Sequence, residues 1–294
     1  MLSAFLQAAI TGLALGAIYA LAASGLGIVF GLFRVINFAH TQYMMIGAVS
    51  AVSAAALGVP YVLAALIGLL AAALGGALTE RFLVRPLMDM PTAQVNTLFV
   101  TLGLAIVLEN AALMIRGSQP DYFIPPVAGV LELGKVVLGA DRVMTMAVAI
   151  VVFTALHLAV TRTRIGKAVL ATAQNPEAAQ IIGIPVTTVR LAAFVVGCGL
   201  AGLGGVLWGT LYSVTHVTGA QFLIISFVLV VMSGPGNISG ILLCSLLLGV
   251  SESLAGFVFD AKWQRLVVML LFVAVILRRP NGLFGPGRLA RVST

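Results

Sequence analysis

Charged residues are scarce in this chain. Only 9% of its 294 residues are charged, whereas 61% are hydrophobic. Ordinary soluble domains have about 25% charged and about 45–50% apolar residues. A soluble globule of this length needs far more polar surface than this composition supplies. The shortage of charge therefore excludes a soluble protein.

Cysteine is also scarce. The chain has 2 cysteines, Cys198 and Cys244, and both lie inside apolar segments, where small buried hydrophobes are their expected role. This excludes a disulfide framework. The sequence also has no metal-ligand spacing and no nucleophile constellation, so it predicts neither a catalytic site nor a cofactor held by this chain.

Long uncharged segments are what the sequence has in abundance. A helix needs about 20 apolar residues to cross a hydrocarbon core of about 30 Å. The segments predict an all-α fold: a polytopic transmembrane helical bundle in one domain, residues 1–294, with about eight spans and broken helices. The first segment has no basic residue before it and is interpreted as a retained span. The expected spans are 5–32, 36–57, 60–79, 95–115, 143–161, 190–213, the broken pair 221–257, and 263–278.

The net charge of +7 indicates orientation in lipid rather than nucleic-acid binding, because the basic residues lie between the apolar segments. This span assignment places 11 basic residues on one side and 5 on the other, and the richer side is expected to be cytoplasmic. The N-terminus is then outside and the C-terminus inside. An external loop covers about 116–142, and a cytoplasmic loop covers about 162–189.

Glycines recur at small-xxx-small spacing inside the predicted helices. The pairs are Gly12/Gly16, Gly27/Gly31 and Gly205/Gly209. Such spacing lets helix backbones approach closely in lipid. Packing within the chain is the favoured interpretation, and a subunit interface is the alternative.

The cytoplasmic loop contains a short predicted helix at 176–184. Asn175 is a suitable N-cap, Pro176 suits the first helical position, and Glu177 is an early acid. Gly183 and Pro185 end the helix. It is either a connector lying on the membrane surface or a docking element for a cytoplasmic partner.

Four segments carry a resemblance to a known family. Glu177-Ala178-Ala179-x-x-x-Gly183 is similar to the EAA loop of bacterial ABC importer permeases. Three others resemble branched-chain amino acid permeases of the LivH type: Gly12–Leu21, Val35–His40 with Met44–Ala48, and Arg278–Gly285. The chain departs from that pattern at Thr41, where glycine is common, and at Ser233–Gly240. The second departure bears on substrate identity more than on fold.

The resemblance implies an ATP-driven importer of branched-chain amino acids or related solutes such as amides, urea or aromatic acids. It also implies four partners: a second homologous permease, two cytoplasmic ATPase subunits that hold ATP and Mg²⁺, and a periplasmic solute-binding protein. The resemblance also implies that the protein lies in the bacterial inner membrane. The implied coupling residues are Glu177, Ala178, Ala179 and Gly183, which transmit ATP-driven closure to the bundle.

Residues 129–135 have the GxxxxGK spacing of a phosphate loop. The segment lacks the Ser or Thr that would hold Mg²⁺ and lies in the predicted external loop, without a preceding strand. We interpret this match as coincidence. ATP hydrolysis is expected on partner subunits.

Polar residues inside the spans are the candidates for a solute pathway, because such residues in lipid usually face a cavity or a partner. Glu109 and Glu252 either bond to neighbouring helices or line the path. A cluster after Arg34 and the break at 234–237 resemble the paired helix interruptions of transporters. The candidate residues are Asn37, His40, Gln42, Tyr43, Glu109, Asn237, Ser239 and Glu252.

Two other function classes remain as alternatives. A stand-alone secondary transporter driven by an ion gradient would need charge relays inside the bundle, for which few residues are available. It would also leave the helix at 176–184 without a purpose. A membrane enzyme would need clustered acids, bases or metal ligands, which the sequence lacks.

Overall fold

The computed structural model describes residues 2–33, 37–88, 90–126, 129–133, 136–234 and 236–284. Arg34 to Ile36, Lys135, Pro235 and Gly285, which belong to motifs discussed above, lie outside these residues. The described chain forms α-helices and one antiparallel hairpin. The helices are α1 (Leu2–Phe33), α2 (Gln42–Ala56), α3 (Tyr61–Thr79), α4 (Ala93–Arg116), α5 (Ala140–Arg162), α6 (Arg164–Gln174), α7 (Pro176–Ile181), α8 (Val186–Leu211), α9 (Thr218–Ser233), α10 (Ile238–Val258) and α11 (Gln264–Arg278).

Six helices of the described chain are long and apolar enough to cross a membrane, and α2 and α9 are shorter apolar helices. The predicted all-α bundle of about eight spans is confirmed. The broken pair is also confirmed, since α9 ends at Ser233 and α10 begins at Ile238. Helices α6 and α7 lie together at one end of the bundle, called here the α7 end.

The bundle is built around α1. In the most apolar 18-residue stretch of α1, 83% is buried, whereas in that of α4 only 11% is buried. Helix α1 packs against α10, α8, α9 and α5, whereas α2, α3 and α8 form a second closely packed group. Helix α4 lies at the edge of the bundle, and most of its apolar surface is available to lipid or to another chain.

The glycines explain how closely α1 and α10 approach. A Cβ atom added at Gly12 would lie 2.6 Å from the Cα of Val250, and one at Gly16 would lie 2.8 Å from the Cα of Leu246. Gly249 faces Gly16 in the same way. Backbone therefore packs on backbone along this pair. Packing within the chain is confirmed as the role of Gly12 and Gly16.

Replacing Gly16 with alanine is expected to destabilise the bundle by about 1–3 kcal/mol, because overpacked helices must move apart. Gly103→Ala is the matched control, since nothing lies within 4 Å of a Cβ there and alanine favours a helix by about 1 kcal/mol over glycine. Thermal unfolding in detergent measures both. Equal midpoints for the two variants would contradict the packing account.

The structure differs from the sequence-based expectation in several places, two of which lie outside the α7 end. The predicted span 36–57 is helical only from Gln42, because residues 37–41 form turns. The predicted external loop contains the hairpin of β1 (Val130–Leu133) and β2 (Val136–Gly139). An antiparallel hairpin does not provide the strand-to-helix turn of a phosphate loop.

Helix α3 is followed directly by two turns of other helical types. It continues as a π-helical turn, Glu80–Val84, and then as a 3₁₀ turn, Arg85–Leu87. Pro86 has no N–H to give to the carbonyl four residues earlier and its ring crowds that carbonyl, so an α-helix cannot run through it undisturbed. The π turn accommodates an extra residue just before this point.

Candidate solute pathway and coupling surface

The turn at residues 37–41, called here the interior turn, lies deep in the bundle. The Nε2 atom of His40 is 3.1 Å from the carbonyl oxygen of Ala22. Ala22 is about three turns before the end of α1, or about 16 Å along the helix. Helix α2 therefore begins inside the bundle rather than at its surface. Irregular backbone at this depth is tolerated only where it is buried in protein or lines a cavity.

Asn37 does not cap α2. Its Oδ1 accepts a hydrogen bond of 3.0 Å from the backbone N–H of Ala39, within the turn itself. Thr41 occupies the N-cap position without a side-chain cap bond. The geometry therefore shows a break in the helical backbone at Asn37 rather than a helix capped by it.

The interior turn and the first residue of α2 carry polar atoms that have no hydrogen-bond partner among the described residues. These atoms are Asn37 Nδ2, His40 Nδ1, Thr41 Oγ1 and Gln42 Oε1, and all four side chains are at most 3% exposed. Each unsatisfied buried group costs about 1–3 kcal/mol. Such a concentration is typical of a place that binds water or a polar solute.

Glu109 lies beside this turn. Gln42 Nε2 donates a hydrogen bond of 3.2 Å to Glu109 Oε2, joining α2 to α4. Glu109 is half-buried. A cleft of about 200 Å³ between α2 and α4 extends from the level of Met45 and Leu108 to Arg116 at the end of α4. The cleft leads from the end opposite α7 towards the Gln42–Glu109 pair.

Tyr43 connects the interior turn to α3. Its hydroxyl forms a short hydrogen bond with Thr79, the last residue of α3 before the π turn. The next residue, Glu80, accepts a hydrogen bond of 2.8 Å from Arg190 Nε in α8. Sequence reasoning missed this ion pair, because nothing in a single sequence joins residues so far apart.

The second helix break has different neighbours. Asn237 caps α10, accepting from the N–H of Gly240 at 2.9 Å, and its Nδ2 donates to the carbonyl of Phe284 at 3.1 Å. The N–H of Leu283 donates to the carbonyl of Met232 at 2.7 Å. The Arg278–Gly285 motif thus packs, as far as it is described, against the break.

Ser239 and Glu252 also lie apart from the interior turn. Ser239 Oγ is 3.3 Å from His157 Nδ1, at one end of a cavity of about 420 Å³ between α1, α5 and α10 that is otherwise lined mainly by aliphatic side chains. Glu252 is 6% exposed and accepts a hydrogen bond of 2.8 Å from Tyr19. The candidates that come together are therefore Asn37, His40, Gln42, Tyr43 and Glu109.

Helix α7 has the capped start and the glycine stop that its sequence predicts, although it ends at Ile181 rather than at residue 184. Asn175 Oδ1 accepts from the N–H of Ala178 at 3.0 Å, and Pro176 is the first helical residue. Gly183 has a φ of +87°, which ends the helix. Ala179 is buried, whereas Glu177 and Ala178 are exposed.

Two isoleucines follow on the exposed side. Ile181 is 86% exposed and Ile182 is 73% exposed. Sequence reasoning did not single them out, although two adjacent large apolar residues after a capped polar turn were a usable signal. Together with Glu177 and Ala178 they form a surface that we call the α7 surface.

Comparison with known proteins agrees along nearly the whole chain. Residues 8–276 match the family described as the permease component of branched-chain amino acid transport systems. The chain is 32% identical to the high-affinity branched-chain amino acid transport permease BraD of Pseudomonas aeruginosa, covering 98% of each protein. It is 30% identical to the corresponding permease LivH of Escherichia coli K12, again over 98% of each.

A solved structure is similar in fold. PsaBC from Streptococcus pneumoniae in complex with Fab aligns with a TM-score of 0.51 and 14% identity, covering 92% of this chain and 91% of that one. At this identity the likeness concerns the fold alone.

Proposed function

The chain belongs to the permease family of branched-chain amino acid transport systems, and we propose that it is the membrane-spanning subunit of an ATP-driven importer. The proposed solutes are branched-chain amino acids, with amides, urea and aromatic acids as related candidates. The proposed partners are a second homologous permease, two ATPase subunits that hold ATP and Mg²⁺, and a periplasmic solute-binding protein. The chain is a multi-pass membrane protein, and we place its α7 end in the cytoplasm.

The α7 surface is the observation that carries this proposal. A six-residue helix fixed by Asn175 and Pro176 presents Glu177 beside Ile181 and Ile182. Exposed large apolar side chains next to a charge are suited to the core and rim of a protein interface. Ala178 leaves room for close approach, and buried Ala179 seats the helix on the bundle. Docking of an ATPase subunit would bury this surface.

Replacing Ile181 with aspartate is expected to weaken docking of the ATPase by at least about fivefold, which corresponds to roughly 1 kcal/mol of lost apolar burial. Affinity purification through the permease, with quantification of the ATPase that stays bound, measures the effect. Leu57→Asp is the matched control, because Leu57 is 85% exposed and follows α2, at the opposite end. Equal ATPase recovery from both variants would argue against the α7 surface.

We propose that the solute passes the interior turn. Its unused polar atoms and the neighbouring Glu109 carboxylate match a zwitterion, which needs donors for its carboxylate and an acceptor for its ammonium group. The cleft between α2 and α4 provides the approach from the opposite end. We assign Glu109 to the path and Glu252, which is buried against Tyr19, to the packing of α1 on α10.

The exposed edge of α4 is the proposed contact with the second permease. Glu109 and the exposed Asn110 lie within a helix of membrane-spanning length. Polar residues in such helices usually face a partner or water rather than lipid. A solute path between two permeases at this edge would give both side chains polar surroundings.

Purification with co-expressed neighbouring subunits tests the proposal. We expect ATPase subunits to co-purify and hydrolysis to rise when a binding protein loaded with a branched-chain amino acid is added. Screening amides, urea and aromatic acids with the same preparation defines the solute class. A permease that purifies alone and intact under these conditions would refute the proposed assembly.

A further inference from the structure

The Glu80–Arg190 ion pair is almost fully buried, which is unusual for charged side chains. The side chain of Glu80 is 1% exposed and that of Arg190 is 7% exposed, while Glu80 Oε2 has no hydrogen-bond partner among the described residues. A buried ion pair adds little net stability, because desolvation offsets the attraction. The pair instead connects α8 directly to the turn that follows α3.

Arg190 lies where a movement of α7 would displace it. Residues 182–185 join α7 to α8, and Arg190 lies in the second turn of α8. The linker is held against α7 by a 2.9 Å hydrogen bond from the N–H of Ile184 to the carbonyl of Ala179. Because helix and linker are tied together, a push on α7 reaches the start of α8.

Glu80 is the first residue of the π turn. A π turn can be exchanged for an α turn with a change of helical register, and such turns are frequent at functional sites. An exchange of this kind would give α3 two discrete arrangements, as coupling between distant sites requires. The ion pair therefore attaches α8 to the π turn that follows α3.

The contacts continue to the proposed solute path. Thr79, adjacent to Glu80, bonds to Tyr43. Gln42, adjacent to Tyr43, bonds to Glu109. Side-chain contacts and short lengths of backbone thus connect α8, α3, α2 and α4 in an unbroken series.

We propose that Arg190 and Glu80 are positioning residues that carry the movement of α7 through the π turn and Tyr43 to the interior turn. The inference rests on the proposed function, because it assumes that α7 receives the ATPase. It adds a defined route for coupling, with Tyr43 as its last step before the path.

The test measures solute transported per ATP hydrolysed in reconstituted complexes, normalised to the amount of assembled ATPase. We expect Glu80→Gln and Tyr43→Phe each to lower this ratio by at least about fivefold, the lower end of usual coupling effects. Tyr43→Phe removes one hydroxyl and keeps the ring, so it serves where Glu80→Gln fails to assemble. Tyr61→Phe is the matched control, because the Tyr61 hydroxyl also bonds to a threonine, Thr210, at 2.8 Å and at the opposite end.

A wild-type ratio in Tyr43→Phe, or a loss of equal size in Tyr61→Phe, would overturn the inference. A purely structural role for the ion pair predicts less assembled complex with an unchanged ratio per complex. Failure of the proposed function is seen separately in the wild-type preparation, as ATPase that neither binds nor responds to loaded binding protein.

Discussion

The Glu177→Arg variant is expected to hydrolyse ATP with at least about tenfold less uptake per ATP, because reversing a charge in an interface juxtaposes like charges at a cost of several kcal/mol. Glu177 is exposed in the first turn of α7, where an acid also suits the positive end of the helix. The bundle does not depend on this side chain. Parallel assays of ATPase activity and uptake in reconstituted complexes give the ratio.

Glu177→Gln keeps the shape of the side chain and removes only the charge, so an intermediate loss of coupling is expected. Thermal unfolding of the isolated permease in detergent should give the same midpoint for wild type and both variants. Normal coupled uptake by Glu177→Arg would refute the proposed role of Glu177 in coupling.

For the solute path, Glu109→Gln is expected to raise the solute concentration needed for half-maximal uptake by about tenfold. A charge-assisted hydrogen bond contributes about 1.5–3 kcal/mol, and the amide retains the contact with Gln42 but not the charge that would meet an ammonium group. Assembly with the ATPase should be unaffected. Initial uptake rates over a range of concentrations of solute and loaded binding protein provide the measurement.

Glu252→Gln is the matched control for that experiment. Glu252 is also a carboxylate within a membrane-length helix, yet it is buried and bonded to Tyr19. Its amide variant keeps an acceptor for the tyrosine hydroxyl, so the concentration dependence should match that of the wild type. If Glu252→Gln shifts the dependence and Glu109→Gln does not, the assignment of the two carboxylates is reversed.

Local signals in the sequence were sufficient for the spans and for α7. Apolar length identifies membrane helices because every buried backbone group must be bonded within its own segment. The Asn175-Pro176-Glu177 start and the Gly183 stop are likewise local, since capping and positive φ depend on single residues. These features agree with the structure.

Contacts between distant segments were not predictable from one sequence. The Glu80–Arg190 pair, the Tyr43–Thr79 bond and the Tyr19–Glu252 bond each join residues on different helices. Polar residues within spans indicated that partners exist, but not which ones. The sequence therefore suggested Glu109 and Glu252 equally, and their burial separates them.

Two local features were missed for different reasons. Helix α6 was not separated from its loop, because its basic and small residues carry no long apolar run. The interior turn was included in a span, because hydropathy does not show where the backbone leaves helical geometry. Asn37 marked the place, and the contact of His40 with Ala22 shows how deep it lies.

Uptake into proteoliposomes tests the central claim most directly. Purified permease complexes would be reconstituted with ATP supplied on the ATPase side and binding protein loaded with labelled leucine on the other side. The proposed function predicts uptake that requires both ATP and binding protein and that persists when ionophores dissipate ion gradients. Uptake by this chain alone, without ATP and abolished by ionophores, would contradict it and establish a secondary transporter.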